Sequence, residues 1–343
     1  MKPIGLSAFA LIAATLAGSA FAQMPKQLVI ASERAGGASN VMANSVASII
    51  TKYSGTNATV RGVGSAGAWV SMYKSKEIDF GLTSITEIGW TYWGLNAYQG
   101  QASPEFRLVA LGTPQTWSFL VPKNANVRTP QQFVSWVKGK RLTHKWINPV
   151  IDAYNLAALA NLGINSLEEA NISAVPVTSY AALSRIWTEQ RTDVIGSTIG
   201  VPVTDEMNIG RPVQFVSLYD TPEALAKMQK VESGVYLTKQ PPGPTGIDQD
   251  ITALTYDYVI VARNSLEPAA VEKVLETLHK HQAELVAIHP LMKEWGPAEQ
   301  RWVHPRASMP YHPAAIAYYK KVGLWNAEMD RRQAELEAKT PKS

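Results

Sequence analysis

Short β-rich runs alternate with longer helical patterns along most of this 343-residue chain. Such alternation is typical of α/β units built around a largely parallel sheet. In the first part of the chain it predicts strands at 27–32, 57–63, 78–83, 108–112 and 117–122, and helices at 41–53 and from 68 to 73. The fold class predicted from this pattern is therefore α/β.

The same rhythm starts again after Pro122. It predicts strands at 139–143, 174–177, 193–197 and 251–262, and helices at 150–162, 181–190 and 271–288. The Pro-Pro-Gly-Pro-Thr-Gly run at 241–246 predicts a rigid loop before the last of these strands. The charged tail at 326–343 is predicted to be a solvated helix or a frayed end.

Two α/β units joined by two chain crossings predict a two-domain binding-protein fold, with two mixed or parallel sheets flanked by helices. The crossings are expected near Val121 and near Tyr258. Domain I is then assigned to residues 23–121 and 258–343, and domain II to residues 122–257. A cleft between two such domains can open and close on a hinge, which suits the capture and release of a ligand.

The first residues have the pattern of a signal peptide. Lys2 precedes an apolar run at 4–16, which is followed by Ala20-Phe21-Ala22, an Ala-x-Ala exit site. Residues 1–22 are therefore assigned to a signal peptide that is cleaved near Ala22. No cysteine follows that site, so no lipid anchor is expected, and the chain is predicted to be free in a bacterial periplasm.

The composition excludes several classes of protein. The chain has no cysteine, and its 46% hydrophobic and 17% charged residues are ordinary for a globular protein stabilised by burial alone. The formal net charge is only +4, and no block of five like charges occurs, so nucleic acid is not an expected partner. A monomer is expected, because the polar tail offers no clear dimer face.

Three turns in the first half place small and polar residues between a strand and the next helix. Such turns meet at the carboxyl ends of parallel strands, where open α/β folds bind ligands, and helix N-termini there favour anions. A second interpretation stays open, since the same residue types are common helix N-caps. The candidate ligand-binding residues in these turns are Ala38, Ser39, Asn40, Ser65, Ala66, Gly67, Thr83 and Ser84.

The second half offers a further set of candidates. Lys145 is expected to pair with a carboxylate, and Trp146 or Tyr180 to cover an apolar or aromatic body when the cleft closes. Thr198 and Gly200 follow the strand predicted at 193–197 and complete the candidate site. The expected ligand is a small organic acid with an apolar or aromatic body.

Motifs of catalysis are scarce. The sequence has no His-Glu-x-x-His and no Gly-x-Ser-x-Gly, so neither a metal site nor a serine hydrolase is expected. The Gly-x-Gly-x-x-Gly run at 62–67 resembles a dinucleotide fingerprint, but the strand after it ends in Thr83-Ser84 and lacks the acidic residue that a ribose needs. We therefore expect no catalytic residue, no cofactor and no metal.

Several motifs resemble those of the TAXI family, the extracytoplasmic solute receptors of TRAP transporters. The resemblance spans nearly the whole mature chain, and its most specific part is the run at 312–319 near the end. The matching motifs are Gly36-Gly37, Gly64-Ser65-Ala66-Gly67, Asp79-Phe80-Gly81, Gly139-Lys140-Arg141, Asp193 with Gly200-Val201-Pro202, and His312-Pro313-Ala314-Ala315-Ile316 with Tyr318-Tyr319.

This resemblance implies the type II periplasmic-binding-protein fold, a ligand in the cleft, and delivery of that ligand to the membrane subunits of a TRAP transporter. It also implies glutamate-like or other small organic acids as ligands. The chain departs from the family where a Gly/Ser-rich turn is usual, because it has His144-Lys145-Trp146-Ile147-Asn148 there. That bulky turn favours a larger acid. A glutamate or amino-acid receptor, and a receptor that serves a sensor, remain the alternatives.

Overall fold

A computed structural model of the protein describes residues 25–33, 37–146, 148–295 and 301–341. The predicted signal peptide lies outside the described residues, as do Gly36 and Ile147 of the motifs above. Among the residues that are described, no helix is long and apolar enough to cross a membrane.

The described elements alternate as the sequence predicts. The strands are β1 (Gln27–Ser32), β2 (Asn57–Gly62), β3 (Phe80–Ser84), β4 (Phe106–Pro122), β5 (Arg141–Trp146), β6 (Ser173–Val177), β7 (Ile195–Thr198), β8 (Val213–Phe215), β9 (Tyr236–Gln240) and β10 (Ile251–Arg263). The helices are α1 (Ala38–Tyr53), α2 (Ala66–Lys74), α3 (Ile85–Trp93), α4 (Pro130–Trp136), α5 (Pro149–Asn161), α6 (Tyr180–Thr188), α7 (Pro202–Gly210), α8 (Pro222–Val231), α9 (Pro268–Lys280), α10 (Gln282–Ile288), α11 (Pro313–Lys321) and α12 (Ala327–Lys339).

The main sheet has the strand order β2-β1-β3-β10-β4-β7, with β9 on β10 and β8 on β4. Strand β1 runs parallel to β2 and β3, whereas β10 runs antiparallel to β3, β4 and β9. Strands β5 and β6 form a separate parallel pair, which a bridge between Leu142 and Val194 connects to the residues before β7. The predicted α/β class with mixed sheets and flanking helices is confirmed.

Two long strands, β4 and β10, run through both halves of the molecule. At one end β10 pairs with β3 over residues 258–262, and at the other it pairs with β9 over residues 251–255. Strand β4 pairs with β7 and β8 only from Trp117 onwards. The neighbours of both strands therefore change in the middle of the sheet. The domain boundaries predicted at Val121 and Tyr258 stay predictions.

Three local predictions differ from the structure. The strands predicted at 108–112 and 117–122 are one strand, since β4 continues through Pro114 by pairing with Asp257 of β10. The helix predicted at 271–288 is broken at His281. The His281 ring stacks on the ring of Tyr53, with 3.5 Å between the ring centroids.

The charged tail, predicted to be solvated or frayed, instead packs against the protein. Helix α12 buries Met329, Gln333 and Leu336 against the rest of the protein. The side-chain Oε1 of Gln333 accepts a hydrogen bond from the backbone N–H of Tyr311 at 2.9 Å. The tail is therefore a docked helix and not one that is solvated all round.

Gly81 lies in the buried strand β3 directly under the ring of Trp69. A Cβ added there would lie 2.4 Å from Cζ3 of Trp69, and the indole N–H already donates to the carbonyl of Val63 at 3.0 Å. We expect Gly81→Ala to lower the free energy of unfolding by about 1–3 kcal/mol, because the buried ring must shift. Urea unfolding measures the change.

A matched control is Gly89→Ala in helix α3, where the added Cβ meets only the side chain of Ser308, with its hydroxyl at 3.2 Å and its Cβ at 3.7 Å. Alanine is favoured over glycine inside a helix by about 0.5–1 kcal/mol, so this variant should unfold near or above the wild-type midpoint. Equal midpoints for Gly81→Ala and the wild type would contradict the packing described for Trp69.

Candidate ligand-binding cleft

A small cavity lies beside the place where β4 and β10 change neighbours. Its volume is about 20 Å³, which is room for a single water molecule. Elements of both halves contribute to its walls. The lining residues are Glu33, Ser84, Trp117, Trp146, Asn148, Val150, Ile151, Tyr154, Tyr180, Gly196, Ser197, Thr198, Tyr256 and Tyr258.

Aromatic rings form much of the wall. Tyr154 of α5 stacks on Tyr256 of β10 with 4.5 Å between ring centroids. The ring centroids of Trp146 and Tyr180 lie 5.4 Å apart. Tyr256 and Tyr258 reach the same cavity because side chains two apart on a strand share one face. The hydroxyl groups of Tyr256 and Thr198 form a hydrogen bond of 2.9 Å. A flat apolar or aromatic body fits such a lining.

Two carboxyl groups stand at one side of the cavity. Glu33 follows the last residue of β1 and lines the cavity, and Glu87 lies behind it in the first turn of α3, fully buried. The Glu87 carboxylate accepts the backbone N–H of Ala66 at 2.8 Å and the Thr83 hydroxyl at 3.1 Å. These donors stabilise its charged form.

The pKa values of both carboxyls are raised. Burial raises the pKa of Glu33 to about 8, and the adjacent carboxyl of Glu87 adds to the shift. Burial also raises the pKa of Glu87, although the N–H of Ala66 and the hydroxyl of Thr83 oppose that rise. At neutral pH Glu33 therefore holds its proton.

The donors of the three predicted turns are largely engaged within the protein. The first N–H of α2, on Ala66, is taken by Glu87 rather than left open for a ligand. Ser39 accepts the backbone N–H of Glu33 at 3.1 Å. Ser84 lines the cavity, but its hydroxyl also accepts the N–H of Glu87 at 3.2 Å, as an N-cap does.

The other residues of these turns lie around the same edge. Asn40 donates to the hydroxyl of Ser32 at 2.9 Å, and Ala38 is buried at the start of α1. Gly67 packs against the ring of Tyr98, where a Cβ would approach to 2.2 Å. Ser65 occupies the N-cap position of α2 without a side-chain hydrogen bond to that helix. A direct ligand contact for these residues stays a prediction.

The candidates of the second half divide into two groups. Trp146, Tyr180 and Thr198 line the cavity, next to Ser84 from the first half. Lys145 has an exposed side chain, and neither it nor Gly200 is among the lining residues. Gly200 has a φ of +81°, which suits glycine at that turn. The structure therefore brings three of these five candidates to the cavity.

Several lining residues were not predicted from the sequence, among them Glu33, Tyr154, Tyr256 and Tyr258. Two features of the sequence point to some of these lining residues. Glu33 directly follows β1, so the rule that ligands bind at carboxyl ends of parallel strands includes it. The Tyr-Asp-Tyr run at 256–258 places both tyrosines on one face of a strand. Tyr154 carried no signal beyond helical periodicity.

One buried donor of the lining lacks a partner. Among the described residues, no hydrogen-bond partner is found for the indole N–H of Trp146, a residue that is only 7% exposed. A buried donor without a partner is costly, which makes this N–H a candidate to contact a ligand. The described residues include no cluster of three or more His, Asp or Glu that could hold a metal ion.

Comparisons with known proteins agree with this architecture. The sequence profile of a family described as NMT1-like matches residues 30–323. MatC from Rhodopseudomonas palustris, solved with bound malate, aligns with a TM-score of 0.53 at 15% identity over 93% of this chain and 100% of that chain. None of the curated proteins matches the sequence significantly.

Two further solved structures give the same result. The periplasmic binding protein BugD aligns with a TM-score of 0.52 at 12% identity, covering 92% of this chain and 95% of that chain. A protein described as a periplasmic transporter aligns with a TM-score of 0.51 at 10% identity over 91% of this chain and 96% of that one. At such identities the likeness shows the fold, which is that of two-domain periplasmic binding proteins.

The raised pKa of Glu33 predicts a specific dependence of stability on pH. A carboxyl whose pKa rises from 4.5 to about 8 on folding binds its proton more tightly in the folded state, so its contribution to stability falls as pH rises through that range. We expect the free energy of unfolding to fall by on the order of 1 kcal/mol between about pH 6.5 and 8, and Glu33→Gln to flatten that slope.

The contributions of Glu33 and His312 to stability change in different pH ranges. Burial lowers the pKa of His312 from 6.5 to about 4, so its contribution to stability rises with pH between those values and is constant above them. Urea unfolding at several pH values, compared between wild type and Glu33→Gln, checks the prediction. Parallel pH profiles for the two proteins would show that Glu33 titrates normally.

Proposed function

The chain belongs to the NMT1-like family, and we propose that it is a periplasmic solute receptor that closes on a small organic molecule and presents it to a TRAP-type membrane transporter. The observation that carries this proposal is the aromatic cavity between the two halves of a binding-protein fold. It supports capture by closure, because residues of both halves must separate before a solute can enter. Signal-peptide cleavage near Ala22 and release into the periplasm are part of the same proposal.

The size of the cavity supports a moving cleft. A space of about 20 Å³ holds one water, whereas sites for small organic ligands measure about 300–1,000 Å³. Trp146 and Tyr180 form one wall and Glu33 and Ser84 another, so a hinge motion that separates these walls opens the site. We place that hinge where β4 and β10 change neighbours, with domain I at 23–121 and 258–343 and domain II at 122–257.

The sequence-based hypothesis names a small organic acid with an apolar or aromatic body as the ligand. The six aromatic side chains of the lining support such a body. The charge of the acid has less support, since the described lining residues carry a carboxyl and no basic side chain, and Lys145 is exposed outside the cavity. Acids, amines and neutral compounds therefore belong in one screen.

A ligand screen tests the receptor proposal. A solute that binds only the folded protein at 100 times its Kd stabilises it by about 2.7 kcal/mol, which a thermal shift detects. We expect at least one class of small organic solute to raise the melting temperature, and calorimetry to give one site per chain with no turnover of the solute. Failure of all three classes to bind would overturn the receptor proposal.

Trp146→Ala tests whether the cavity is the site. Trp146 is 7% exposed and covers one wall, so truncation should weaken binding of any solute found in the screen by about tenfold or more. Trp136→Ala is the matched control, since that side chain packs on Phe133 and Lys140 away from the cavity and should leave the Kd unchanged. Equal affinities for both variants would place the site elsewhere.

A receptor that serves a sensor instead of a transporter predicts a different partner. Transport activity distinguishes the two. Proteoliposomes that contain TRAP membrane subunits encoded beside this chain should accumulate the solute only when the receptor is added. Absence of uptake, with binding intact, would favour the sensor.

A further inference from the structure

The carboxyl pair at the cavity is expensive to bury and has one open side. Glu87 is satisfied from behind by the N–H of Ala66 and the hydroxyl of Thr83. Glu33 stands in front of it and lines the cavity, so its carboxyl faces the space where a solute would sit. Once Glu33 loses its proton, near pH 8, it holds a negative charge beside that space, which costs free energy unless a positive charge approaches.

The rings opposite these carboxyls are suited to the same charge. Tyr180, Tyr256 and Tyr258 all lie close enough to Glu33 for its charge to raise their pKa values, after the larger effect of burial. Those tyrosines stay neutral at physiological pH, so they add no competing anion. Their ring faces are electron-rich, and cages of such rings bind ammonium groups.

The indole N–H of Trp146 provides an independent indication of a ligand. The residue is more than nine-tenths buried and lines the same cavity, and its N–H has no hydrogen-bond partner among the described residues. The indole is a donor only, so it needs an acceptor oxygen. A solute that carries a cationic nitrogen and a nearby oxygen satisfies the carboxyls and the indole together.

We propose that the cavity takes an organic cation, an amine or quaternary ammonium group held between Glu33 and the tyrosine rings with Glu87 behind it. This inference rests on the proposed receptor function and replaces the expected acid with a base. An acceptor oxygen on the same molecule meets the indole N–H of Trp146. The lining then selects by charge, since an anion of the same shape meets the carboxyl pair.

Three probes of the same shape and different charge test the inference. Choline, 3,3-dimethylbutan-1-ol and 3,3-dimethylbutanoate share a branched head on a short chain but carry a positive, zero and negative charge. We expect calorimetry on the full chain at pH 8.5 to show choline binding at least tenfold more tightly than the alcohol, and the acid more weakly still. Equal or tighter binding of the alcohol or the acid, or no binding of any probe, overturns the inference.

Variants of the carboxyl pair supply the second readout. Glu33→Gln should weaken choline binding at least tenfold at pH 8.5 and remove its rise between pH 6.5 and 8.5, because wild-type Glu33 loses its proton in that range while choline does not titrate. The groups that face Glu33 are Glu87, the Ser39 and Thr83 hydroxyls and the three tyrosines named above. Unchanged affinity in Glu33→Gln overturns the inference.

A control carboxyl lies away from the cavity. Glu105 pairs with Lys74 at 3.2 Å, and neither residue lines the cavity, so Glu105→Gln should keep wild-type affinity for choline. The broader screen separates the two proposals. If an acid or a neutral solute binds and choline binds no more tightly than its analogues, the cation inference is wrong but the receptor proposal stands. No binding of any compound defeats both.

Discussion

The antiparallel pair of strands β4 and β10 is the element on which the rest of the structure depends. The pairing runs from Leu254 opposite Trp117 to Arg263 opposite Phe106, and its register shifts before Val259 and again after Ile260. One end of the pair carries β3 and, through it, β1 and β2. The other end carries β7, β8 and β9. Both halves of the molecule are therefore attached to the same two strands.

This shared pair explains why the cavity lies where it does. Trp117 of β4 and Tyr256 and Tyr258 of β10 stand at the change of neighbours and form the floor of the cavity. Glu33 and Ser84 reach it from the carboxyl ends of β1 and β3, and Trp146 and Tyr180 reach it from the other half. In the proposed function, a bend in the two strands moves one group of residues away from the other. That proposal makes binding and hinge motion two properties of the same part of the sheet.

Much of the fold could be predicted because periodicity reports local structure directly. The strand over 27–32 and the helix that ends at Tyr53 appear where the sequence places them. The errors arise where a partner decides the outcome. Strand β4 continues past Pro114 because β10 lies beside it, and the sequence of residues 108–122 contains no sign of that neighbour.

The site was predicted less completely for a similar reason. The rule for carboxyl ends of parallel strands led to the correct edge of the sheet, where Ser84 lines the cavity. It could not show that Glu87, three residues into the following helix, turns back to accept the N–H of Ala66. The donors that favoured an anion in the sequence are thereby occupied by the protein's own carboxylate. Charge at a site depends on tertiary contacts that turn motifs alone do not specify.

The central claim is that the two halves close on a solute by bending at β4 and β10. The chain has no cysteine, so Asn44→Cys and Arg185→Cys place one spin label on α1 and one on α6, both at exposed positions. The distance between the labels, measured by double electron–electron resonance, should shift from a longer, broader distribution to a single shorter one at saturating solute. The same distribution with and without bound solute would contradict the account.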